Sequence, residues 1–491
     1  MKKKLALLLA GTMVLSTLLA GCGSGTSGDA PATSETSSSD EGTSDDSEEA
    51  GSDSEAAEEE TEAEPAADDG AASGDDVSAI GSDDPAATEL EHWTFTELFT
   101  AFYSDMVDQW NEENPDKLIR INVHVLPYDD MHNKLQIALN SGTGAPDTVD
   151  IEVSRFSGFT EGDVQLMDMT EYAEPYKEYV VDSRLQLFSR DGKLYGCPTH
   201  VGATVAFYNE KLLGDAGIDY TTIKTWDDFK EAGSKYYEAT GKAFAHLDTG
   251  TNMFFNLILA QLGGDYLDAD GNIAVNSEKV AEALQVMRDM QEANAVSLVP
   301  GGNVDADEGY AAYNSGDFAV MIMPLWMSNR FVNYMTDLDG QIAVAPVPVF
   351  DDSTTVLSAC NGGTGTAVVK TSEKADIAAE FIAYAKLSEY ASIIQWNTLG
   401  NDPCNMSVWN DTSVTENPDN KYLAYYTNNP FDTLNAVKDG IVILDSQPTK
   451  YYPSISTAFN TEVFNAVFEN GDDIQEILDI VQDELENEFA Y

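Results

Sequence analysis

The chain has 491 residues, with 25 Lys or Arg against 86 Asp or Glu, for a formal net charge of -61. So acidic a balance excludes nucleic acid and anionic membrane surfaces as partners, because both need a basic face. It also disfavours highly anionic ligands in general. The 4 cysteines form no CxxC pair, which excludes a zinc knuckle and a disulfide framework.

The first segment is an export signal, expected over residues 1–21. Lys2, Lys3 and Lys4 form its basic start, and Leu5 to Ala20 its apolar stretch. That stretch is shorter than the roughly 20 residues a helix needs to span a bilayer. It ends in Leu19-Ala20-Gly21-Cys22, which resembles a bacterial lipobox. Lipidation of Cys22 would anchor the chain to the outer face of the bacterial cytoplasmic membrane. Two or more acyl chains give stable anchoring where one alone holds marginally. Residues 22–87 are mostly Gly, Ser, Thr, Ala, Asp and Glu, without Lys or Arg. They bury too little apolar surface to offset ordering entropy, so a disordered, charge-extended tether is expected. No later apolar run reaches membrane-spanning length.

About four hundred residues follow, more than one ordinary core, so two domains are expected. Thr88 to Phe95 reads as a strand. Leu98 to Glu113 reads as a helix with Phe99, Phe102, Tyr103, Met106, Val107 and Trp110 on one face. Leu118 to Leu126 alternates as a strand, a helix with an Asp-rich start follows from Tyr128, and Asp147 to Val153 is a third strand. This alternation predicts an α/β layer with a largely parallel sheet. Further helices are predicted over Trp226 to Ala239 and Asn252 to Leu262, then a long one after "DADGN". "ADEGYAAYNSGDFAVMIMPLW" reads as helix, turn, buried strand and Trp326. Later strands lie in "GQIAVAPVP" and "GTGTAVVK", and a helix pair in "EKADIAAEFIAYAKLSEYASIIQWNTLG". Two more helices close the chain from about Ser454. "DADGN" (Asp268 to Asn272) fails the EF-hand template and reads as a turn.

Six segments in one order carry a resemblance: "LYGCPTHVGATVAFYNEKLLGDAGI", "IKTWDDFKEAG", "GYAAYNSGDFAVMIMPLW", "GGTGTAVVKTSEKADIAAEFIAYA", "LGNDP" and "ENGDDIQEILDIVQDELENEF". Together they resemble the extracellular sugar-binding proteins of ABC importers, the group that includes maltodextrin-binding proteins. Pro324-Leu325-Trp326 departs from that group's Gly-Pro-Trp. The resemblance runs from about Thr88 to the C-terminus. It implies an α/β fold of two lobes joined by crossover segments, with the ligand in the cleft between them. One lobe is expected over residues 88–201 plus 362–400, the other over 202–361 plus 401–491. Hinge rotation would close the cleft, and an ABC permease would read the closed form. A monomer is expected.

Sugars present apolar C–H faces and rings of hydroxyls, so a site needs aromatic faces and placed polar groups. Trp326 is the leading candidate, matching the stacking Trp of the family motif. Trp93, Phe95, Thr96 and Glu97 end the first strand, where open α/β sheets present residues to the ligand crevice. Glu152 and Arg155 end the third strand. His200, Gly202 and Thr204 lie on the first crossover. Asn252, Met253 and Phe254 open a helix opposite. Asn361, Gly362 and Gly363 lie on the second crossover, and Asn401 and Asp402 in the "LGNDP" turn. Tyr451 to Pro453 and Phe459 are weaker candidates for stacking surface. For several of these, core packing or a surface ion pair is the competing reading.

Cys197 and His200, three apart on an extended chain, point to opposite faces, which is poor geometry for a nucleophile and its base. If one thiol pair bridges, Cys360 with Cys404 is the expected one. No cofactor, metal site or catalytic group is expected. The competing functional readings are a cell-surface glycan-active enzyme, which would need paired carboxylates, and a polysaccharide adhesin.

Overall fold

The structure, a computed structural model, describes residues 76–490. The export signal, Cys22 and most of the expected tether lie outside the described residues. The first layer is built from β1 (Asp76–Gly81), β2 (Thr88–Thr94), α1 (Leu98–Glu113), β3 (Ile119–Val125), α2 (Tyr128–Ser141) and β4 (Thr148–Glu152). The six apolar residues expected on one face of α1 are its six buried residues. β3 alternates buried and half-buried along its length, as its sequence alternates.

β1 corrects the sequence reading, which ran the tether to residue 87. It pairs antiparallel with β3, from Asp76 opposite Val125 to Gly81 opposite Arg120. The outer edge of β3 offers unpaired N–H and C=O groups that a passing segment can satisfy. Ile80 packs on the core from this strand, so a locally weak sequence is recruited by long-range pairing.

Next come α3 (Val153–Phe156), α4 (Asp182–Gln186), β5 (Cys197–Pro198), β6 (Thr204–Asn209) and α5 (Trp226–Thr240). They are followed by β7 (Ala245–Leu247), α6 (Met253–Gln261), α7 (Glu278–Glu292), β8 (Val296–Leu298), α8 (Asp307–Asn314) and β9 (Val320–Pro324). The last named elements are β10 (Ile342–Ala345), β11 (Thr364–Val368), α9 (Ala375–Leu387), α10 (Glu389–Ile394), α11 (Tyr452–Ala458) and α12 (Ile474–Glu488). α5 opens on a capping box: the Thr225 hydroxyl accepts from the Asp228 N–H and the Asp228 carboxylate accepts from Thr225 N.

Two main sheets result among the described residues, in strand orders β1-β3-β2-β4-β11-β5 and β8-β7-β9-β6-β10. Parallel pairing is found at the centre of the first sheet and between β8, β7 and β9 of the second. β3, β2 and β4 run parallel, linked through α1 and α2. β11 and β5 join antiparallel, because each belongs to a passage between the sheets rather than to a strand–helix–strand repeat. In the second sheet, Val205 and Phe207 of β6 face one core and Ala206 and Tyr208 the other. The sheet is thus covered on both faces, as its unbroken apolar strands require.

The "DADGN" stretch forms a turn, with Asp268 Oδ1 accepting from the N–H groups of Asp270 and Asn272, each at 2.9 Å. Cys197, Cys360 and Cys404 are all free and buried, which corrects the expected Cys360–Cys404 bridge. Burial pushes the Cys197 thiol up to about 12 and the Cys360 thiol up to about 11, so neither is a nucleophile near neutral pH.

Candidate functional site

Residues 199–203 run from β5 in the first sheet to β6 in the second, and residues 360–363 return to β11 in the first. The two passages touch. Asn361 N donates to Gly202 O at 2.9 Å, and Ala203 bridges Cys360. A Cβ on Gly202, whose φ is 72°, would lie 2.5 Å from Asn361 O, so only glycine fits both the turn and the approach. The Asn401–Asp402 turn lies against them. Asp402 O accepts from Val201 N at 3.1 Å and Asp402 Oδ2 from Ala203 N at 2.8 Å.

Trp326 sits at this junction, just past β9, and is 8% exposed. Its Nε1 donates to Asn361 O at 3.1 Å, and Gly362 lies against the indole edge. The Arg330 guanidinium lies 5.4 Å from its ring centroid, held in turn by Asp305 at 3.1 Å. Asn361 Nδ2 donates to Thr204 Oγ1 at 2.9 Å and to Met253 O at 3.1 Å.

On the first-sheet side, Glu152 ends β4. Its Oε2 accepts from Ser154 N at 2.7 Å, from the Ser154 hydroxyl, and from Tyr128 OH at 3.3 Å. Burial raises its pKa, against the lowering effect of these bonds. Phe95, Tyr128 and His132 form an aromatic group beside it, with Phe95 5.1 Å from Tyr128 and 5.4 Å from His132. His132 Nδ1 donates to Tyr128 O at 2.7 Å, and its Nε2 accepts from Glu152 N at 3.2 Å. That pattern needs a neutral ring, and burial holds His132 down to about 4.

On the other side, α11 packs against α3 and the turn after it. Tyr452 OH accepts from Asn252 Nδ2 at 3.4 Å and from Asn256 Nδ2 at 3.0 Å. Ser456 Oγ accepts from Asn252 Nδ2 at 3.4 Å. Burial raises the Tyr452 pKa, and the charge of Glu152 adds to it. The buried Ser157 Oγ, in the turn facing α11, has no hydrogen-bond partner among the described residues.

His200 is buried, its Nδ1 3.3 Å from Asn401 Nδ2, while its Nε2 has no partner among the described residues. Burial first, then the charge of Arg184, holds it well below the ordinary imidazole range. Burial pushes Asp402 up to about 7 in spite of the Ala203 N–H it accepts. No group of three His, Cys, Asp or Glu among the described residues is placed to hold a metal ion.

The fold therefore gathers Trp326, Gly202, Thr204, His200, Asn361, Gly362, Asn401 and Asp402 at the crossovers, with Phe95 and Glu152 on one wall and Asn252 on the other. Five candidates fall elsewhere. Trp93 packs beneath α2, with Lys134 Nζ 4.5 Å from its ring centroid. Phe254 points into the second core, 5.5 Å from Trp226. Glu97 is exposed at the start of α1. Arg155 is at the rim, paired with Asp129 at 2.9 Å. Phe459 is also a core residue, against Phe255 and Tyr266. Sequence reasoning missed Tyr128, His132, Asn256, Ser456 and Arg330, and named Tyr452 only through the Tyr-Tyr-Pro run.

Two sheets joined by glycine-bearing crossovers, with aromatic and polar groups facing across the junction, define a two-lobe solute-binding protein. Residues 92–392 match the bacterial extracellular solute-binding protein family, and the chain belongs to that family. It is 39% identical over 386 residues to an arabinooligosaccharide-binding protein of Halalkalibacterium halodurans, covering 78% of this chain and 86% of the relative. A Bacillus subtilis arabinooligosaccharide-binding protein is 40% identical over 357 residues, covering 72% and 82%. Among solved structures, the cyclic alpha-maltosyl-1,6-maltose binding protein of Arthrobacter globiformis superposes with a TM-score of 0.66 at 22% identity, covering 82% of this chain and 98% of that one. A B. animalis subsp. lactis transporter-associated binding protein, in complex with beta-1,6-galactobiose, gives 0.65 at 20%, covering 82% and 97%. These two share the fold.

Proposed function

We infer that the protein captures a short oligosaccharide rich in arabinose in the cleft and delivers it to an ABC importer. The observation that carries this reading is the 39% identity to an arabinooligosaccharide-binding protein over 86% of that relative. The site chemistry supports it. Trp326 offers a stacking face, and Phe95 and Tyr128 offer apolar edges. Glu152, Asn252, Tyr452 and Ser456 supply acceptors and donors for hydroxyls. A neutral His132 and an acidic surface suit an uncharged ligand better than a phosphorylated one. The protein binds without cleaving, and it acts as a monomer.

In this reading residues 88–201 with 362–400 form one lobe, which β1 extends, and 202–361 with 401–491 the other. Cys22 carries the lipid anchor and holds the receptor at the outer face of the cytoplasmic membrane. Thermal-shift screening of pentose and hexose oligosaccharides tests the ligand class, since a ligand that binds only the native state raises the melting point. Arabino-oligosaccharides should give the largest shift. A larger shift with a hexose oligomer would overturn the pentose assignment. Product release on incubation would overturn the receptor assignment.

A further inference from the structure

Arg184, on α4, is fully buried; its Nε and Nη1 have no hydrogen-bond partner among the described residues, and no carboxylate there forms a close ion pair with it, although its charge reaches Glu152 and Asp402 and acts to lower both. Its Nη2 donates to Gly362 O at 2.8 Å, and its guanidinium lies 5.1 Å from the Phe188 ring centroid. A buried guanidinium without an ion-pair partner is costly. The bond to the second crossover is what its position provides.

That bond falls where the crossover changes sides. Asn361 is held wholly by the second-sheet side: its carbonyl by Trp326 Nε1, its side chain by Thr204 and Met253. The next two carbonyls are held by the first-sheet side, Gly362 O by Arg184 and Gly363 O by Val153 N at 2.9 Å. Gly362 and Gly363 have φ of 64° and 88°, conformations that side-chain-bearing residues rarely adopt. A Cβ on Gly362 would meet Trp326, and one on Gly363 would land on Arg184 and His200. The double glycine is thus gripped between an indole of one lobe and a guanidinium of the other.

We propose that Arg184 and Trp326 form a two-sided clamp that confines interlobe rotation to Gly362, and that Arg184 is a positioning residue for ligand capture that never touches the ligand. Trp326 is both the candidate stacking platform and one jaw of the clamp, so a ligand on its face fixes the pivot from one side. Arg184 holds the other side still. Without that anchor the rotation spreads along the crossover and the closed setting loses definition. The ligand half of this inference rests on the oligosaccharide reading above; the clamp itself does not.

The test compares Arg184→Gln, which keeps an N–H donor for Gly362 O, with Arg184→Met, which keeps only the apolar stem. A donor–acceptor dye pair is introduced through non-canonical amino acids at the exposed Ser141 on α2 and Glu238 on α5 of the full chain. Single-molecule energy transfer without any sugar reads the interlobe distance distribution directly. Arg184→Met should broaden it and Arg184→Gln should leave it as in the unmutated protein. Calorimetry with an arabino-oligosaccharide should show affinity weakened by about tenfold or more in Arg184→Met, mainly through faster dissociation, and by less than about threefold in Arg184→Gln. An unchanged distribution in Arg184→Met overturns the clamp. So does equal broadening in both variants, which marks Arg184 as a packing element only. If Arg184→Met does not fold, Arg184→Leu, which likewise has no donor for Gly362 O, replaces it, and a distribution as narrow as the unmutated protein's overturns the proposal. If no sugar in the panel binds the unmutated protein, the oligosaccharide reading fails while the distance measurement still decides the clamp.

Discussion

Substitution of Trp326 separates what the residue does for folding from what it does for binding. The side chain is 8% exposed and packs within the first core, so Trp326→Ala removes a buried ring. Such truncations cost about 3–5 kcal/mol, a large share of the about 5–15 kcal/mol that holds a typical domain. Trp326→Phe keeps a ring face but loses the Nε1–H bond to Asn361 O, worth about 1 kcal/mol. Urea unfolding should therefore rank the alanine variant well below the phenylalanine one. Calorimetry below both unfolding transitions should show arabino-oligosaccharide affinity lowered at least about tenfold by alanine, roughly 1.4 kcal/mol, and only a few-fold by phenylalanine. An alanine variant that is folded and binds the sugar as tightly as the unmutated protein would refute the placement of Trp326 in the site.

Other consequences can be measured separately. Asp402, pushed up to about 7, keeps its proton in the folded protein at pH values where the unfolded chain has lost it. Its contribution to stability is therefore lost as pH rises from about 4 to 7, and Asp402→Asn should flatten the melting-point profile over that window. An unaltered profile would show that Asp402 titrates normally. In the first core, burial pushes Asp150 up, but Lys386 at 3.9 Å and His92 at 3.2 Å more than offset it and hold the carboxyl well below its usual range. Asp150→Asn leaves Lys386 buried without its partner and should cost about 3–5 kcal/mol in urea unfolding near pH 7; a cost under about 1 kcal/mol would mean the ion pair is idle. Cys22→Ser should move the protein from the membrane fraction to the soluble fraction, and its retention on membranes would remove the lipid anchor from the account.

The fold was readable where one face of one element is buried. α1 shows this best: its six apolar positions follow helical spacing and are its six buried residues. β1 was unreadable because "DVSAIG" has no strand signal of its own, and what makes it a strand is the edge of β3, some forty residues later. The position of Thr204, Asn361 and Trp326 at the crossovers was legible through motif resemblance. Tyr128 and His132 were hidden because they read as ordinary helix residues and gain meaning only from Phe95 and Glu152 beside them. Arg184 left no trace, since nothing in "VDSRLQLF" announces that its arginine will lie under a crossover 178 residues away. Trp93 and Phe254 erred in the opposite direction. An aromatic at a strand or helix end satisfies the core and the cleft equally well until the backbone is in place.

The most direct test of the central claim is calorimetric titration of the protein with arabino-oligosaccharides of defined length, alongside malto-oligosaccharides as the competing class. Saturable one-to-one binding of an arabino-oligosaccharide is expected, with no products formed. Absence of binding by any arabino-oligosaccharide, with tight binding of a malto-oligosaccharide, would contradict it.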